Sequence, residues 1–285
     1  MKKILITGKN SYIGNNVQQW LEKEEKKYEV EQLDMQIDEW KNNDFSKYDC
    51  ILHVAGIAHV SSEKKMEQLY YKVNRDLAIE TAEKAKKDGV KQFVFMSSMI
   101  IYGKDDNIGK IKMIDRDTKP NASDFYGKSK LDADIAIQKL SNEKFKTVII
   151  RTPMVYGPNC KGNFQKLKKL VKICPIFPSI ENRRSMIYID NLCEFIKQAI
   201  DNEKSGVFFP QNAEYISTKE IIKNLAEQQK KKIHFTRIFN PLIKLLSKKM
   251  YFLNKVFGSK IYDKKLSEGF DYIVIDNDES IRRSV

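Results

Sequence analysis

The chain has 285 residues and a formal charge of +13. Its apolar content is ordinary for a globular protein, which argues against disorder, and no stretch approaches the roughly 20 apolar residues of a membrane span. Such a charge suits nucleic acid, an anionic membrane surface or an anionic small substrate, but no zinc-finger, RNP or basic-helix pattern speaks for nucleic acid, and clusters such as Lys84, Lys86 and Lys87 sit at a helix end where they complement the dipole.

Residues 3–7 form a short apolar run that stops at glycine, the mark of a buried parallel strand. The run is too short for the core of a signal peptide, so the expected location is cytoplasmic. Next comes Thr7-Gly8-Lys9-Asn10-Ser11-Tyr12-Ile13-Gly14, feeding a helix predicted over 15–26 with Val17, Trp20 and Leu21 on one side. A glycine-rich turn between strand and helix lets backbone N–H groups meet a pyrophosphate at the positive end of the helix. A second strand, 28–33, ends at Asp34, about 20 residues beyond the turn, where a carboxylate binds a ribose 2′-OH. The same carboxylate repels a 2′-phosphate, which favours NAD over NADP; a solvated turn acid is the plainer alternative.

A third strand follows over 50–54, a long amphipathic helix over 66–87, and a fourth strand over 92–96 that runs into Ser97-Ser98. A hydroxyl at the carboxyl end of a strand can bond a substrate oxygen whose charge changes in the reaction. The helix predicted over 125–140 carries Tyr126-Gly127-Lys128-Ser129-Lys130. Tyr126 and Lys130 lie one helical turn apart on one face. An ammonium beside a phenol favours the phenolate, so Tyr126 is expected to have a lowered pKa and to act as a general acid or base. A fifth strand spans 147–151. Strands alternating with helices in this rhythm imply an α/β fold, a Rossmann-type doubly wound parallel sheet with a smaller C-terminal substrate-binding domain.

After Arg151 the rhythm breaks and proline and glycine become frequent. The expected division is a dinucleotide-binding domain over 1–158, with a return around 187–200, and a substrate-binding cap over 159–285. Residues 241–257 mix leucines with lysines at helical spacing, which suits a lid or packing helix or a membrane-surface helix. Cys50, Cys160, Cys174 and Cys193 are scattered, with no metal-type spacing, and read as free thiols in a reducing cytosol.

The ordered motifs TGKNSYIG, ILHVAGIAHV, Val73-Asn74, FMSSMIIYG, YGKSK and RTPMVYGP resemble the extended short-chain dehydrogenase/reductase family. More narrowly, they are similar to the NAD-dependent nucleotide-sugar epimerases and dehydratases of the UDP-glucose 4-epimerase type. The likeness runs from residue 1 to about 200. It implies bound NAD, with Gly8, Ser11, Tyr12, Ile13 and Gly14 around the pyrophosphate, Asp34 on the adenosine ribose and Asp44 near the adenine. It places Ala55 and Gly56 under the nicotinamide half, Asn74 in support of the sheet end, and Pro153 along the nicotinamide. It implies Ser98, Tyr126 and Lys130 as the catalytic serine, tyrosine and lysine, with Tyr126 and Lys130 also on the cofactor. Ser98, Asn163 and Arg184 would meet the nucleotide-diphosphate sugar, Arg184 at the diphosphate. It further implies a homodimer through helices 66–87 and 125–140.

Departures from the family pattern narrow the reading. Ser11 replaces the middle glycine of the cofactor loop and threatens to crowd the pyrophosphate. Met99, Ile100 and Ile101 stand where 4,6-dehydratases carry an acidic pair, which disfavours elimination. The reading is a UDP-hexose or UDP-N-acetylhexosamine 4-epimerase working through a transient 4-keto sugar. The segment 151–191 also resembles that of 4-keto reductases in surface-polysaccharide pathways, so reduction of a UDP-6-deoxyhexosamine ketone by NAD(P)H is the alternative. A non-catalytic dinucleotide-sensing regulator is a third, disfavoured because serine, tyrosine and lysine are all kept.

Overall fold

The computed structural model describes residues 1–58 and 64–284. In chain order its first half contains β1 (Lys2–Thr7), α1 (Tyr12–Leu21), β2 (Tyr28–Leu33), β3 (Cys50–His53), α2 (Glu67–Tyr71), α3 (Leu77–Lys87), β4 (Gln92–Ser98), β5 (Ile111–Ile114), α4 (Phe125–Leu140), β6 (Lys146–Thr152) and β7 (Met154–Tyr156). Then come α5 (Asn163–Ile173), β8 (Ile176–Pro178), β9 (Met186–Tyr188), α6 (Ile189–Asp201), β10 (Gly206–Phe208), α7 (Thr218–Gln228), β11 (His234–Thr236), α8 (Asn240–Ser247), α9 (Tyr251–Phe257), β12 (Ser259–Tyr262) and α10 (Asn277–Arg283).

Six parallel strands form the central sheet in the order β10-β6-β4-β3-β1-β2. The inner strands β1, β3, β4 and β6 are apolar on both faces because each face is covered, whereas the edge strand β2 carries Glu29 and Glu31 on one face. In β1, Ile4 and Ile6 enter one core and Leu5 the other; in β4, Val94 and Met96 face the first, Phe93 and Phe95 the second. Burying each such side chain contributes about 1.5–3 kcal/mol, which outweighs the weak β propensity of the lysine-rich flanks. Helices α1 and α6 pack together on the first face and α3 and α4 on the second. The doubly wound α/β class expected from the alternation is the one observed.

Local chemistry shifts several boundaries. Helix α1 begins at Tyr12, earlier than its apolar period suggests, because Ser11 caps it by accepting the Gly14 N–H. The long helix expected over 66–87 runs without interruption from Glu67 to Lys87 and widens into a π-helical turn at Lys72–Asp76, which separates α2 from α3. The chain returns to the sheet through α6 and then β10, which pairs with β6 through Gly206–Phe208, beyond the 187–200 read from sequence. Trp20 Nε1 donates to Glu194 Oε2 at 2.9 Å and ties α1 to this return.

Outside the central sheet the strands form small two-stranded parallel pairs, β8 with β11, β5 with β12, and β7 with β9, and the rest of the second half is helical or irregular. No helix among the described residues is long and apolar enough to cross a membrane.

Candidate active site

Strand order reverses between β1 and β3, and the loops that leave their carboxyl ends meet across the reversal. Gly8 has φ +105°, and a Cβ there would lie 2.8 Å from Ala55 N and 2.9 Å from Ala55 Cα. Only glycine satisfies both the left-handed backbone and that approach. The Ser11 hydroxyl accepts the Gly14 N–H at 3.1 Å and so caps α1. The N–H groups of Tyr12 and Ile13 find no acceptor among the described residues and open the positive end of α1. Tyr12's own ring goes the other way: its buried hydroxyl has no partner, and burial drives its pKa far up. Asp34 follows Leu33, whose carbonyl accepts the Gly8 N–H at 3.0 Å, so its exposed carboxylate stands beside the glycine loop. One oxygen accepts the Gln36 N–H at 2.9 Å and the other carries no such bond. Two unpaired donors, a close-packed glycine and an exposed carboxylate at this spacing fit a dinucleotide.

On the other side of the reversal, Asn74 is fully buried in the π-helical turn. Its Oδ1 accepts the Ile57 N–H at 2.9 Å and its Nδ2 donates to the Ile57 carbonyl at 3.0 Å, clamping the loop after β3. A Cβ on Gly56 would sit 3.0 Å from Asn74 Oδ1 and 3.4 Å from Lys130 Nζ. Asn74, Gly56 and Lys130 therefore meet at one point. Beneath them His53 Nδ1 lies 2.8 Å from Thr7 Oγ1, between the rings of Phe93 and Phe95. Burial, reinforced by the charge of Lys130, holds His53 down to about 3, so its imidazole is neutral. Its Nε2 is buried without a partner. His53 lies within the ILHVAGIAHV motif, where nothing in the sequence marks it for a role.

Helix α4 starts at the Asp124 cap, which accepts the Gly127 N–H at 2.7 Å, and Gly127 lets the helix start lie against the Ile100 carbonyl. This brings Tyr126 to the end of β4. Tyr126 is half-buried, 5.7 Å from the Tyr70 ring. Burial pushes its phenol up to about 12, Tyr70 adds to the rise, and hydrogen bonding by Ser98 pulls the other way. Ser98 Oγ also accepts the Ile100 N–H at 3.3 Å. Lys130 is buried, donates from Nζ to the Met96 carbonyl at 3.0 Å, and lies 4.8 Å above the Phe95 ring. Burial lowers its pKa to about 8. The lowered tyrosine pKa expected from the lysine neighbour is thus not what this site has. The ammonium is aimed at the strand carbonyl, and desolvation governs both groups.

Behind Lys130 lies a buried network that the sequence reading did not find. Asp134 Oδ1 accepts Arg151 Nη2 at 2.8 Å and Gln138 Nε2 at 2.6 Å; its Oδ2 accepts Arg151 Nε at 3.0 Å and Ser97 Oγ at 2.6 Å. Arg151 Nη1 donates to Tyr102 Oη at 2.7 Å. The fork ties β4, β6 and α4 together directly under Ser98 and Lys130.

Not every expected site residue arrives here. Pro153 is buried at the end of β6, next to Thr152, which pairs in register with Ser98. Arg184 spends Nη2 on Asp105 Oδ2 at 3.2 Å and on the carbonyls of Asn254 and Lys255. Asn163 opens α5, and its side chain falls outside the described residues. Asp44 is not brought to this edge. It bonds Ser46 within its own turn, and the next residue, Phe45, donates its N–H to Asp88 just past the end of α3. That end leads into the start of β4, so Asp44 lies at the opposite edge of the sheet.

A UDP-glucose 4-epimerase of Vibrio cholerae is 36% identical over 184 residues, 62% of this chain and 56% of that protein. An N-acetyl-α-D-glucosaminyl-diphospho-ditrans,octacis-undecaprenol 4-epimerase of Escherichia coli O157:H7 is 27% identical over 200 residues, 67% of this chain and 59% of that protein. The chain thus spans little more than half the length of these curated relatives. Among solved structures, a dTDP-4-dehydrorhamnose reductase from Bacillus anthracis in complex with NADP matches at a TM-score of 0.74 and 20% identity, covering 100% of this chain and 98% of that one. A UDP-glucuronic acid 4-epimerase from Bacillus cereus in complex with NAD matches at 0.71 and 18%, covering 99% and 97%. At these identities the two structures share the fold. A family model matches residues 4–209, well over half of the chain, and the protein belongs to the NAD dependent epimerase/dehydratase family.

Proposed function

We propose that the protein is a nucleotide-sugar 4-epimerase that holds NAD throughout its cycle and takes a UDP-hexose or UDP-N-acetylhexosamine through a transient 4-keto sugar. The observation that carries this reading is that Ser98 bonds Tyr126 at the end of β4 while Lys130, one turn along α4, reaches Gly56 and the loop held by Asn74. When bound, the nicotinamide supplies the hydride acceptor and, oxidised, a positive charge. Tyr126 takes the proton of the sugar 4-OH and returns it to the 4-oxygen after the ketone has turned over. Ser98 donates to that oxygen as its charge changes. Lys130 binds ribose hydroxyls and adds positive charge. Burial leaves Tyr126 a neutral phenol at pH 7, so it becomes a base only beside added positive charge. Proton removal is thereby tied to the oxidised cofactor. Asp34 supports NAD over NADP by charge. The apolar Met99, Ile100 and Ile101 after Ser98 leave no acid beside it for elimination. Exposed Leu69 on α2 and Ile135 on α4 support a homodimer through these helices.

The test is to denature the purified protein, identify the released cofactor, and assay UDP-hexoses with wild type and Tyr126→Phe. Released NAD and epimerisation that falls by at least about a hundredfold in the variant support the reading. A protein that retains no nucleotide and oxidises NADPH stoichiometrically with a 4-keto sugar is a reductase instead. Unchanged turnover in Tyr126→Phe refutes the assigned base.

A further inference from the structure

We propose that α8 and α9 form a docking surface for an anionic lipid bilayer. Between residues 237 and 262 the chain has six basic residues and no acidic one. Of these, Lys260 is buried, while Arg237, Lys244, Lys248, Lys249 and Lys255 are exposed. Among the described residues, no carboxylate pairs with Lys244, Lys248 or Lys249, in contrast to Lys84 with Asp88 and Lys146 with Glu203. Between these lysines stand side chains that water does not favour: Ile238 is 82% exposed, Leu245 63%, Phe252 55% and Leu242 54%. The fold does not require them. The inward faces of the two helices are supplied by Ile243, Leu253, Val256 and Phe257, which pack on the core. A helix that needs one apolar stripe to dock has here a second one facing out, interleaved with cations. That combination is the signature of a helix lying in a bilayer interface.

Charge decides between occupants. A second copy of the chain would bring the same patch against itself, setting unpaired lysines face to face with no carboxylate across. Nucleic acid would satisfy the cations and leave the leucines and phenylalanine wet. An anionic bilayer satisfies both sets. The surface lies against Arg184, since the carbonyls of Asn254 and Lys255 in α9 accept from its guanidinium. Docking would therefore set the cap, and the side chain expected at a sugar diphosphate, against the lipid headgroups. The surface itself does not depend on the reaction proposed for the site.

The full chain is to be sedimented with sucrose-loaded vesicles of phosphatidylcholine alone and of phosphatidylcholine with phosphatidylglycerol in equal parts. Binding to the anionic vesicles only is expected. Each lysine contributes about fivefold to such partitioning, so Lys248→Glu with Lys249→Glu is expected to lose at least about 25-fold. Leu245→Ser with Phe252→Ser is expected to lose at least about tenfold. Reversal of two exposed lysines elsewhere, Lys139→Glu with Lys144→Glu, is expected to change binding by less than about threefold. All of these residues are exposed, and an unchanged urea midpoint checks that each variant folds. Equal loss in the control pair, or full binding by the serine variant, would show only diffuse attraction to the net charge and overturn the proposal. So would a wild type that ignores the vesicles while light scattering shows a dimer that the serine variant breaks, because the face would then join two copies.

Discussion

Replacing Lys130 by methionine is expected to stabilise the nucleotide-free protein at neutral pH while removing its turnover. Lys130 is 7% exposed, and its ammonium has one backbone acceptor, Met96, and the face of Phe95. Asp134, one turn along α4, is the nearest candidate counter-ion but is held by both arms of the Arg151 fork. Burial therefore draws the lysine from 10.5 to about 8 against the weak opposing pull of Asp134. That difference corresponds to about 3 kcal/mol of disfavoured charge. Methionine keeps most of the volume and gives up the bond to Met96 and the contact with Phe95, together about 1–2 kcal/mol. The net gain for Lys130→Met is then about 1–2 kcal/mol at pH 7.

The sign of the pH dependence follows from linkage. Between about pH 8 and 10.5 the unfolded chain still holds a proton on Lys130 that the folded chain has lost, so wild-type stability rises with pH in that window. Below pH 8 the cost of the buried ammonium is fully present. The advantage of the variant is expected to be largest below pH 8, to vanish at about pH 9 and to reverse by about pH 10.5, where only the lost bond and ring contact remain. Urea unfolding of both nucleotide-free proteins at several pH values measures this, provided the m-values agree. A wild type more stable than the variant at pH 7, or a gap that does not change with pH, would refute the account of Lys130 as an uncompensated buried charge.

Asp134→Asn leaves the Arg151 guanidinium buried without its counter-charge and is expected to cost about 3–5 kcal/mol in urea unfolding, whereas Asp134→Leu combined with Arg151→Met returns to within about 1 kcal/mol of wild type. Gly56→Ala puts a methyl 3.0 Å from Asn74 Oδ1 and 3.4 Å from Lys130 Nζ, and is expected to weaken NAD binding at least about tenfold in a fluorescence titration with a much smaller change in urea midpoint. Ser11→Ala removes the α1 cap and is expected to cost about 1 kcal/mol, while Ser11→Gly costs only a few tenths and leaves NAD affinity within about threefold, because the hydroxyl faces the helix.

The sheet was legible because its strands are buried on both faces, so β1, β3, β4 and β6 stand out as apolar runs separated by amphipathic helices. The glycine turn was legible because strand, glycine and helix follow within a few residues. Ser98, Tyr126 and Lys130 were legible by position, at a strand end and one turn apart on a helix. What their environment does to them was not. The aim of the Lys130 ammonium is set by Met96 and Phe95 on a strand more than thirty positions earlier in the chain. Desolvation, which decides both pKa values, has no local signature. Asp134 and Arg151 lie 17 positions apart, and nothing in either segment marks them as partners until α4 is packed on the sheet. Asp44 was placed near the adenine by the family resemblance; its bonds stay within its own turn, and the neighbouring Phe45 N–H is tied to Asp88 past the end of α3. The three-residue β10 and the π-helical turn at Asn74 are too short for any periodicity to show.

The position of Asp134 explains why the site is built with its charges unbalanced. An aspartate four residues after a lysine on a helix face is well placed to pair with it, and a free Asp134 would hold Lys130 near its ordinary pKa. Arg151 takes that carboxylate instead, because a guanidinium fork on a neighbouring strand offers two charge-assisted bonds where the ammonium offers one. The same fork fastens α4 to β6, which fixes where Tyr126 and Lys130 stand. The carboxylate thus serves rigidity, and Lys130 is left with a pKa close to neutrality. Tyr126, desolvated in the same cleft, is left a phenol. Charge that enters with a dinucleotide acts on a neutral phenol and on an unpaired ammonium whose pKa lies within about one unit of neutrality. A site with Lys130 and Asp134 paired would be more stable and less responsive to the charge of its ligand. Placing Arg151 between them separates the two demands: one ion pair holds the helix in place, and one unpaired lysine stays sensitive.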